Sequence, residues 1–356
     1  MTQRTPNQVD DLGTRTPPYL SLCIATYNRA AFIGQTLDSI VCQLPHNVEL
    51  LIVDGASPDE TMAAVCSRIN LVPQARYIRE DVNSGVDADY DKAVGYARGD
   101  YCWLMTDDDV LAPGAVERVL HALAQKPDLV VVNARTLDAN LKHVLSERLI
   151  DINEDRVFQN DTPGVFALTA DYLSFIGGVV VRRDLWMRRD RKRYYGSLFI
   201  HLGVLFQEPL DGRVEVIAKP LISIRYGNAM WSARGFEVWM FKWPELIWSF
   251  GVVSDAVKLG VVRREPWRSP QRLLFGRAIG SYGLDEYRRF IAAATSPAMR
   301  LIASAIAVAP GRFVNSLCGL YCLLRKPNNP ATTFDLARSR FSTPPSRWAD
   351  AARRAR

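Results

Sequence analysis

Three consecutive carboxylates, Asp107-Asp108-Asp109, follow the apolar run Tyr101 to Met105 and precede Pro113. Like charges this close repel one another, so a fold that gathers them needs a compensating cation. A divalent metal suits the task, because Mg²⁺ takes one or two carboxylates and completes its shell with substrate phosphates. For an isolated acidic triplet the alternative is a solvated loop in which Asp109 caps the helix begun at Pro113. Two other polar clusters also close apolar runs. Thr26, Tyr27, Asn28 and Arg29 end the run that starts at Tyr19, and Asp54, Gly55, Ala56 and Ser57 follow Val48 to Val53.

The elements that must position these residues alternate between short β-branched runs and longer helical patterns. Such alternation predicts an α/β domain with a mostly parallel sheet. Strands are expected at Tyr19 to Thr26, Val48 to Val53, Arg76 to Arg79, Tyr101 to Met105 and Leu129 to Asn133. Helices are expected at Ala30 to Gln43, Asp59 to Ile69, Asp87 to Ala97 and Pro113 to Gln125. Ligands of such sheets bind beyond the carboxyl ends of the strands, which is where the three polar clusters fall. No G-x-G-x-x-G follows the first strand, and neither G-x-x-x-x-G-K-[ST] nor G-x-S-x-G occurs. Dinucleotide, P-loop and α/β-hydrolase readings therefore lack their motifs, and a phosphate would be bound through metal.

Taken together, Ser21 to Arg29, Leu51 to Asp59, Asn83-Ser84-Gly85, Ala97 to Tyr101 and Asp107-Asp108-Asp109 resemble family 2 of the glycosyltransferases, which has the GT-A fold. The order and spacing match over roughly Tyr19 to Leu137. Gly85-Val86-Asp87, Tyr101 to Leu104, Phe175 to Gly178 and Gly227 to Ser232 look like bacterial transferases of the abequosyltransferase type, which act on growing surface polysaccharides. The resemblance implies that Thr26, Tyr27, Asn28 and Asp54 hold the nucleoside and its phosphates, with Arg29 and Asp87 on the same donor side. It assigns Asp107 to the ribose and Asp108 to Mg²⁺ or Mn²⁺, assisted by Asp109. Two positions depart from the family: Gly55 stands where many members have a second Asp associated with the base, and Tyr90-Asp91 where many have Arg-Asn.

The family is inverting, so a base must take the acceptor's proton. Members usually supply it from a Glu-Asp pair well after the triplet, and this chain has none there. Between Tyr194 and Gln207 the one Asp, Glu or His is His201. With an ordinary pKa near 6.5, histidine suits proton abstraction at neutral pH, so His201 is the expected base. A hydrogen-bonded histidine on an apolar helix is the alternative, and Glu208 and Asp211 are the next candidates. His46, His121 and His143 read as loop or exposed helix. Arg182 and Arg183 could reach a diphosphate, although a solvated strand end explains them as well.

The chain has 356 residues, 48% hydrophobic and 23% charged, with a net charge of +6. That is globular composition, long enough for one large or two smaller domains. Met1 to Met230 carry 24 Lys and Arg against 30 Asp and Glu, while Trp231 to Arg356 carry 20 against 8, so a net −6 is followed by a net +12. We expect a leader over 1–18, a GT-A domain over 19–230, a helical basic region over 231–330 and an Arg-rich tail over 331–356. Leu301 to Leu324 is apolar apart from Arg312, but Pro310-Gly311 divides it into pieces too short to span a bilayer. Two apolar helices flanked by arginines suit an in-plane anchor on an anionic surface. A soluble helical subdomain or dimer interface is the alternative, and no nucleic-acid motif accompanies the charge. The six cysteines show no metal spacing and read as reduced, buried thiols of a cytosolic protein.

These readings converge on a metal-dependent inverting glycosyltransferase that moves a sugar from a nucleoside diphosphate to a polyprenyl-pyrophosphate-linked saccharide at the inner membrane face. The rivals are a polyprenyl-phosphate glycosyl synthase and a silent nucleotide-sugar-binding scaffold.

Overall fold

The computed structural model describes residues 17–228, 234–293, 295–325 and 330–342. Its first half follows the alternation of the sequence: β1 (Leu20–Thr26), α1 (Ile33–Val41), β2 (Val48–Asp54), α2 (Thr61–Ile69), β3 (Ala75–Arg79), α3 (Val86–Tyr96) and β4 (Tyr101–Met105). Then come β5 (Val110–Leu111), α4 (Ala115–Leu123), β6 (Leu129–Leu137), β7 (Val144–Ser146), β8 (Arg156–Gln159) and α5 (Thr162–Thr169). The domain continues through β9 (Val179–Arg182), α6 (Arg183–Arg188), α7 (Ile200–Phe206) and β10 (Arg213–Arg225).

The sheet runs β3-β2-β1-β4-β9-β6-β10-β5, with β7 beside β6 and β8 beside β10. β1 pairs in parallel with β2 and β4, and β2 with β3. All of β2 and β4 is buried, as expected where helices cover both faces of a parallel sheet. The chain lays β1, β2 and β3 outward in one direction and then places β4 on the other side of β1. That reversal makes the ends of β1 and β4 a topological switch point, where sheets of this kind place their ligand crevice.

Beyond β4 the sheet departs from simple alternation. The expected fifth strand does not lie beside the fourth, because Val179–Arg182 inserts between them antiparallel to both. β10, 13 residues long, runs parallel to β6 with a register shift between Ile217 and Ile222. Pro220 falls within that shift, where the ladder needs no N–H donor. The second half of β10 then carries Arg225 to the site.

After β10 the chain is helical: α8 (Gly235–Glu237), a π turn (Val238–Lys242), α9 (Trp243–Ser249), α10 (Asp255–Val261), α11 (Pro270–Ile279), α12 (Leu284–Glu286), α13 (Pro297–Val308), α14 (Gly311–Arg325) and α15 (Pro330–Arg338). The expected boundary at Met230 and Trp231 lies outside the described residues, but the main core does not stop there. Val238, Trp243, Leu246, Ile247, Phe250, Val253 and Val262 join the cluster built on the sheet. A second cluster gathers Phe236, Trp267, Leu273, Tyr282 and Ile291, and a third gathers Ala278, Val314, Cys322 and Leu336. The start of the expected tail is thus a packed helix, with Asn315 donating to the Leu336 carbonyl and Tyr226 to Asp335. All six cysteines are free; Cys42 and Cys66 are exposed, contrary to the expectation of burial.

Among the described residues no single helix is long and apolar enough to cross a membrane. α13 and α14 meet at 99°. Their outer faces leave Leu301, Val308, Phe313, Leu317, Tyr321 and Leu324 exposed.

Candidate active site

The site forms where β1, β2 and β4 end. Asn28 turns the chain after β1 with φ +58°, a left-handed conformation that asparagine tolerates. The turn is pinned to the loop after β2, since the Asn28 amide donates to Ser57 Oγ, the Arg29 amide to Thr61 Oγ1 and the Ala30 amide to Asp59 Oδ2. Both loops are thereby fixed relative to the sheet. Thr26 is buried at the strand end and Tyr27 is half-buried beside it.

Pinned in this way, Arg29 extends to the acidic triplet. Its Nε lies 3.3 Å from Asp107 Oδ1 and its Nη2 3.2 Å from Asp108 Oδ2. Asn228 also donates to Asp108 Oδ2 at 2.9 Å. Asp109 is used differently: it accepts from the Arg225 amide at 2.7 Å and from the Thr106 hydroxyl, and is 2% exposed. The chain thus consumes its carboxylate, which corrects the expectation that Asp109 assists the metal. Asp107 and Asp108 remain.

Arg225 was not legible from spacing. Its guanidinium donates to the carbonyls of Asp108 at 3.0 Å and Ala139 at 2.8 Å, and to Gln35 Oε1. It packs over the Phe32 ring, which Arg29 also overlies. The signal for Arg225 in the sequence is an Arg closing Leu221-Ile222-Ser223-Ile224, a short run that Lys219-Pro220 separates from Val214 to Ala218.

Burial, with repulsion from Asp108, pushes the Asp107 carboxyl up to about 7 against the pull of Arg29. Burial raises Asp108 despite Arg29 and Asn228, and burial with the Asp108 charge raises Asp109. Three crowded carboxyls are therefore under-neutralised by the cations that the chain supplies. Among the described residues no three His, Cys, Asp or Glu side chains converge into a closed metal cage. The carboxylates of Asp107 and Asp108, just beyond the end of β4, are hard oxygen donors that fit Mg²⁺ or Mn²⁺ bound jointly with phosphates.

Other expected donor residues are tied into the protein. Asp54 is fully buried, accepting from the Ser57 amide at 2.8 Å and the Tyr77 hydroxyl at 2.5 Å. Asp87 takes the amides of Gly196, Leu198 and Ile200 at 2.8, 2.9 and 3.1 Å, so it clamps α3 to the loop before α7. Both hold the scaffold in place. Arg182 and Arg183 pair with Asp128 and with main-chain carbonyls of α3, away from the triplet.

His201 sits on α7, 1% exposed, with Nε2 2.7 Å from the Leu173 carbonyl. A carbonyl cannot donate, so Nε2 carries the proton and Nδ1 is left as a buried acceptor without a partner. Burial lowers its pKa to about 4. A base that is sealed from solvent and too weak to hold the proton near neutral pH does not suit the expected role, and the structure places His201 as a core histidine. Glu208 is exposed and pairs with Arg189.

Comparison with known proteins agrees with this geometry. Residues 21–168 match the model of glycosyl transferase family 2. Over 231 residues the chain is 27% identical to abequosyltransferase RfbV of Salmonella typhimurium, an alignment covering 61% of this chain and 69% of that protein. It is 32% identical over 114 residues to the putative colanic acid biosynthesis glycosyl transferase WcaA of Escherichia coli, covering 32% of this chain and 39% of WcaA. It is similar in fold to S. aureus TarS 1-349, solved with UDP, at TM-score 0.56 and 15% identity, covering 95% of this chain and 92% of TarS 1-349. A second neighbour is the mannosyltransferase PcManGT of Pyrobaculum calidifontis, solved with GDP-Man and Mn²⁺, at TM-score 0.53 and 17% identity, covering 90% of this chain and 84% of PcManGT. The switch point beyond β1 and β4, with its acidic residues, is thus carried by a GT-A fold, and residues 21–168 match glycosyl transferase family 2.

Proposed function

We propose that the protein is an inverting, metal-dependent glycosyltransferase that moves a sugar from a nucleoside diphosphate to a lipid-linked saccharide during bacterial surface polysaccharide synthesis. The observation carrying this reading is the pair Asp107 and Asp108 at the switch point, under-neutralised and held by Arg29 from the end of the neighbouring parallel strand. Similarity to RfbV and WcaA supports the polysaccharide setting.

In this reading Thr26, Tyr27 and the backbone of Asn28 line the donor side, and Asp107 and Asp108 would hold the metal with the diphosphate. A divalent ion held there would offset the charge that gathers on the leaving diphosphate. The acceptor oxygen forms its bond to the anomeric carbon as the bond to the diphosphate oxygen breaks, and the acceptor proton leaves to a base. Arg29, already on both carboxylates, keeps the acidic edge assembled between turnovers. The exposed apolar faces of α13 and α14, flanked by exposed Arg300 and Arg312, would rest on an anionic bilayer and bring the site to its acceptor.

The sealed position of His201 favours one alternative acceptor. A polyprenyl phosphate attacks as an anion and needs no strong base. Transfer assays with a polyprenyl phosphate and with a polyprenyl-pyrophosphate saccharide separate the two.

The reading is tested by melting the full chain with UDP, GDP, CDP or dTDP, with and without Mn²⁺. Ligands that bind the native state raise the melting temperature by mass action. We expect one nucleotide to do so in a metal-dependent way and Asp108→Asn to abolish the effect. Absence of a shift with all four nucleotides in folded protein would remove the donor site from the account.

A further inference from the structure

A second carboxylate near the crevice is not used by the scaffold in the way that Asp54 and Asp87 are. Asp89, in the first turn of α3, is 3% exposed, and its Oδ1 has no hydrogen-bond partner. The nearest ammonium, Lys92 Nζ, is 4.0 Å away and is held at 2.6 Å by Glu80 and at 2.7 Å by Ser84. A buried acceptor oxygen without a donor costs stability, so Oδ1 calls for a donor from outside the chain.

The adjacent glycine explains how Asp89 reaches the end of β2. A Cβ built on Gly55 would lie 2.7 Å from Asp89 Oδ2, closer than two such atoms approach. Gly55 follows Asp54 directly, and its amide donates to the Thr26 carbonyl at the end of β1. The absent side chain at 55 therefore makes room for the carboxylate of α3 beside the crevice. Burial pushes the Asp89 carboxyl up to about 6, and Glu80 and Asp54 add to that rise against Lys92.

Electrostatics restricts what Asp89 can bind. Phosphates belong with the cation at Asp107 and Asp108 beyond β4, whereas Asp89 lies beyond β2, on the other side of β1. A carboxylate there repels phosphate and accepts from a neutral N–H or O–H. We propose that Asp89, reaching through the space left by Gly55, selects the donor's nucleobase by accepting a hydrogen bond from its imino or amino N–H. This rests on the reading of the crevice as a nucleoside-diphosphate site.

The test uses the full chain with Mn²⁺ and measures binding of UDP, GDP, CDP, dTDP and inorganic pyrophosphate by calorimetry, for wild type, Asp89→Ala and the double variant Gly55→Asp with Asp89→Ala. We expect Asp89→Ala to weaken the preferred nucleotide by about tenfold to a hundredfold, as for loss of one charge-assisted hydrogen bond, and to flatten the preference among the four. Pyrophosphate should bind as to wild type, and the free variant should melt close to wild type, because the one ammonium near the carboxylate, Lys92 Nζ at 4.0 Å, is already held by Glu80 and Ser84. The double variant, which returns a carboxylate from the β2 side, should regain part of the preference. Unchanged affinity and preference, or equal weakening of all four nucleotides, which would point to the ribose hydroxyls, overturns the inference. Wild type that binds pyrophosphate with Mn²⁺ but no nucleotide overturns base selection alone. If neither binds, the donor-site reading falls with it.

Discussion

Replacing Arg225 with Met tests whether the last residue of β10 holds the acidic edge together. Arg225 is 6% exposed, and its guanidinium donates to two main-chain carbonyls and one amide oxygen, those of Asp108, Ala139 and Gln35. Met refills much of the stem's volume over Phe32 but supplies no donor, so three acceptors lose their partner. Each buried acceptor left without a donor costs about 1 kcal/mol or more, so the three together cost about 3–5 kcal/mol. For a unit of about 150–250 residues this corresponds to a fall of roughly 6–20 °C in melting temperature. Because the Asp108 carbonyl is one of the three, the edge should also loosen, and nucleotide binding with Mn²⁺ should weaken by at least about tenfold, as for one lost hydrogen bond to a charged group. Calorimetric melting and titration of the same preparation read both effects. A variant that melts within about 2 °C of wild type, less than the shift expected for 1 kcal/mol, and binds nucleotide equally well would refute the reasoning.

Three other expectations follow from the same geometry. Asp107 has a raised pKa, about 7 folded against 3.8 for the unperturbed group, so it stabilises the metal-free fold most below pH 3.8 and loses that contribution as pH rises toward 7. Mn²⁺, which needs the ionised form, should therefore stabilise the nucleotide complex more at pH 8 than at pH 5.5, and pH-resolved melting curves with an equal metal effect at both values would contradict this. His201→Gln keeps a donor for the Leu173 carbonyl, so turnover should stay within a few-fold while the protein remains folded; a loss of about a hundredfold or more, the lower range for a general base, would restore the base role. Floating the protein with vesicles should show binding to anionic but not to neutral bilayers, reduced by Leu317→Glu on the exposed face of α14 and by high salt; binding indifferent to lipid charge would argue against arginine-assisted docking.

The sequence alone determined the first half of the molecule. β1 to β4 and the helices between them lie within a few residues of the positions expected from periodicity, because a strand buried on both faces and an amphipathic helix each write their pattern locally. The triplet at a strand end, with Thr26 and Arg29 across from it, was legible for the same reason: the ends of parallel strands are local events, and ligand chemistry collects there. Partnership was not legible. Asp87, Asp54 and Asp109 look like Asp107 and Asp108 in sequence, yet three of these five carboxylates are spent on amides and hydroxyls of the scaffold. The amides that take Asp87 are 109 to 113 residues away, and the one that takes Asp109 is 116 away. Tertiary structure also decided that β9 separates β4 from β6, that Arg225 returns on β10 to the acidic edge, that His201 is sealed, and that Gly55 makes room for Asp89. The physical reason is common to all of these. Periodicity records which face of an element is buried, whereas hydrogen bonding and charge compensation depend on which distant groups packing brings within about 3 Å.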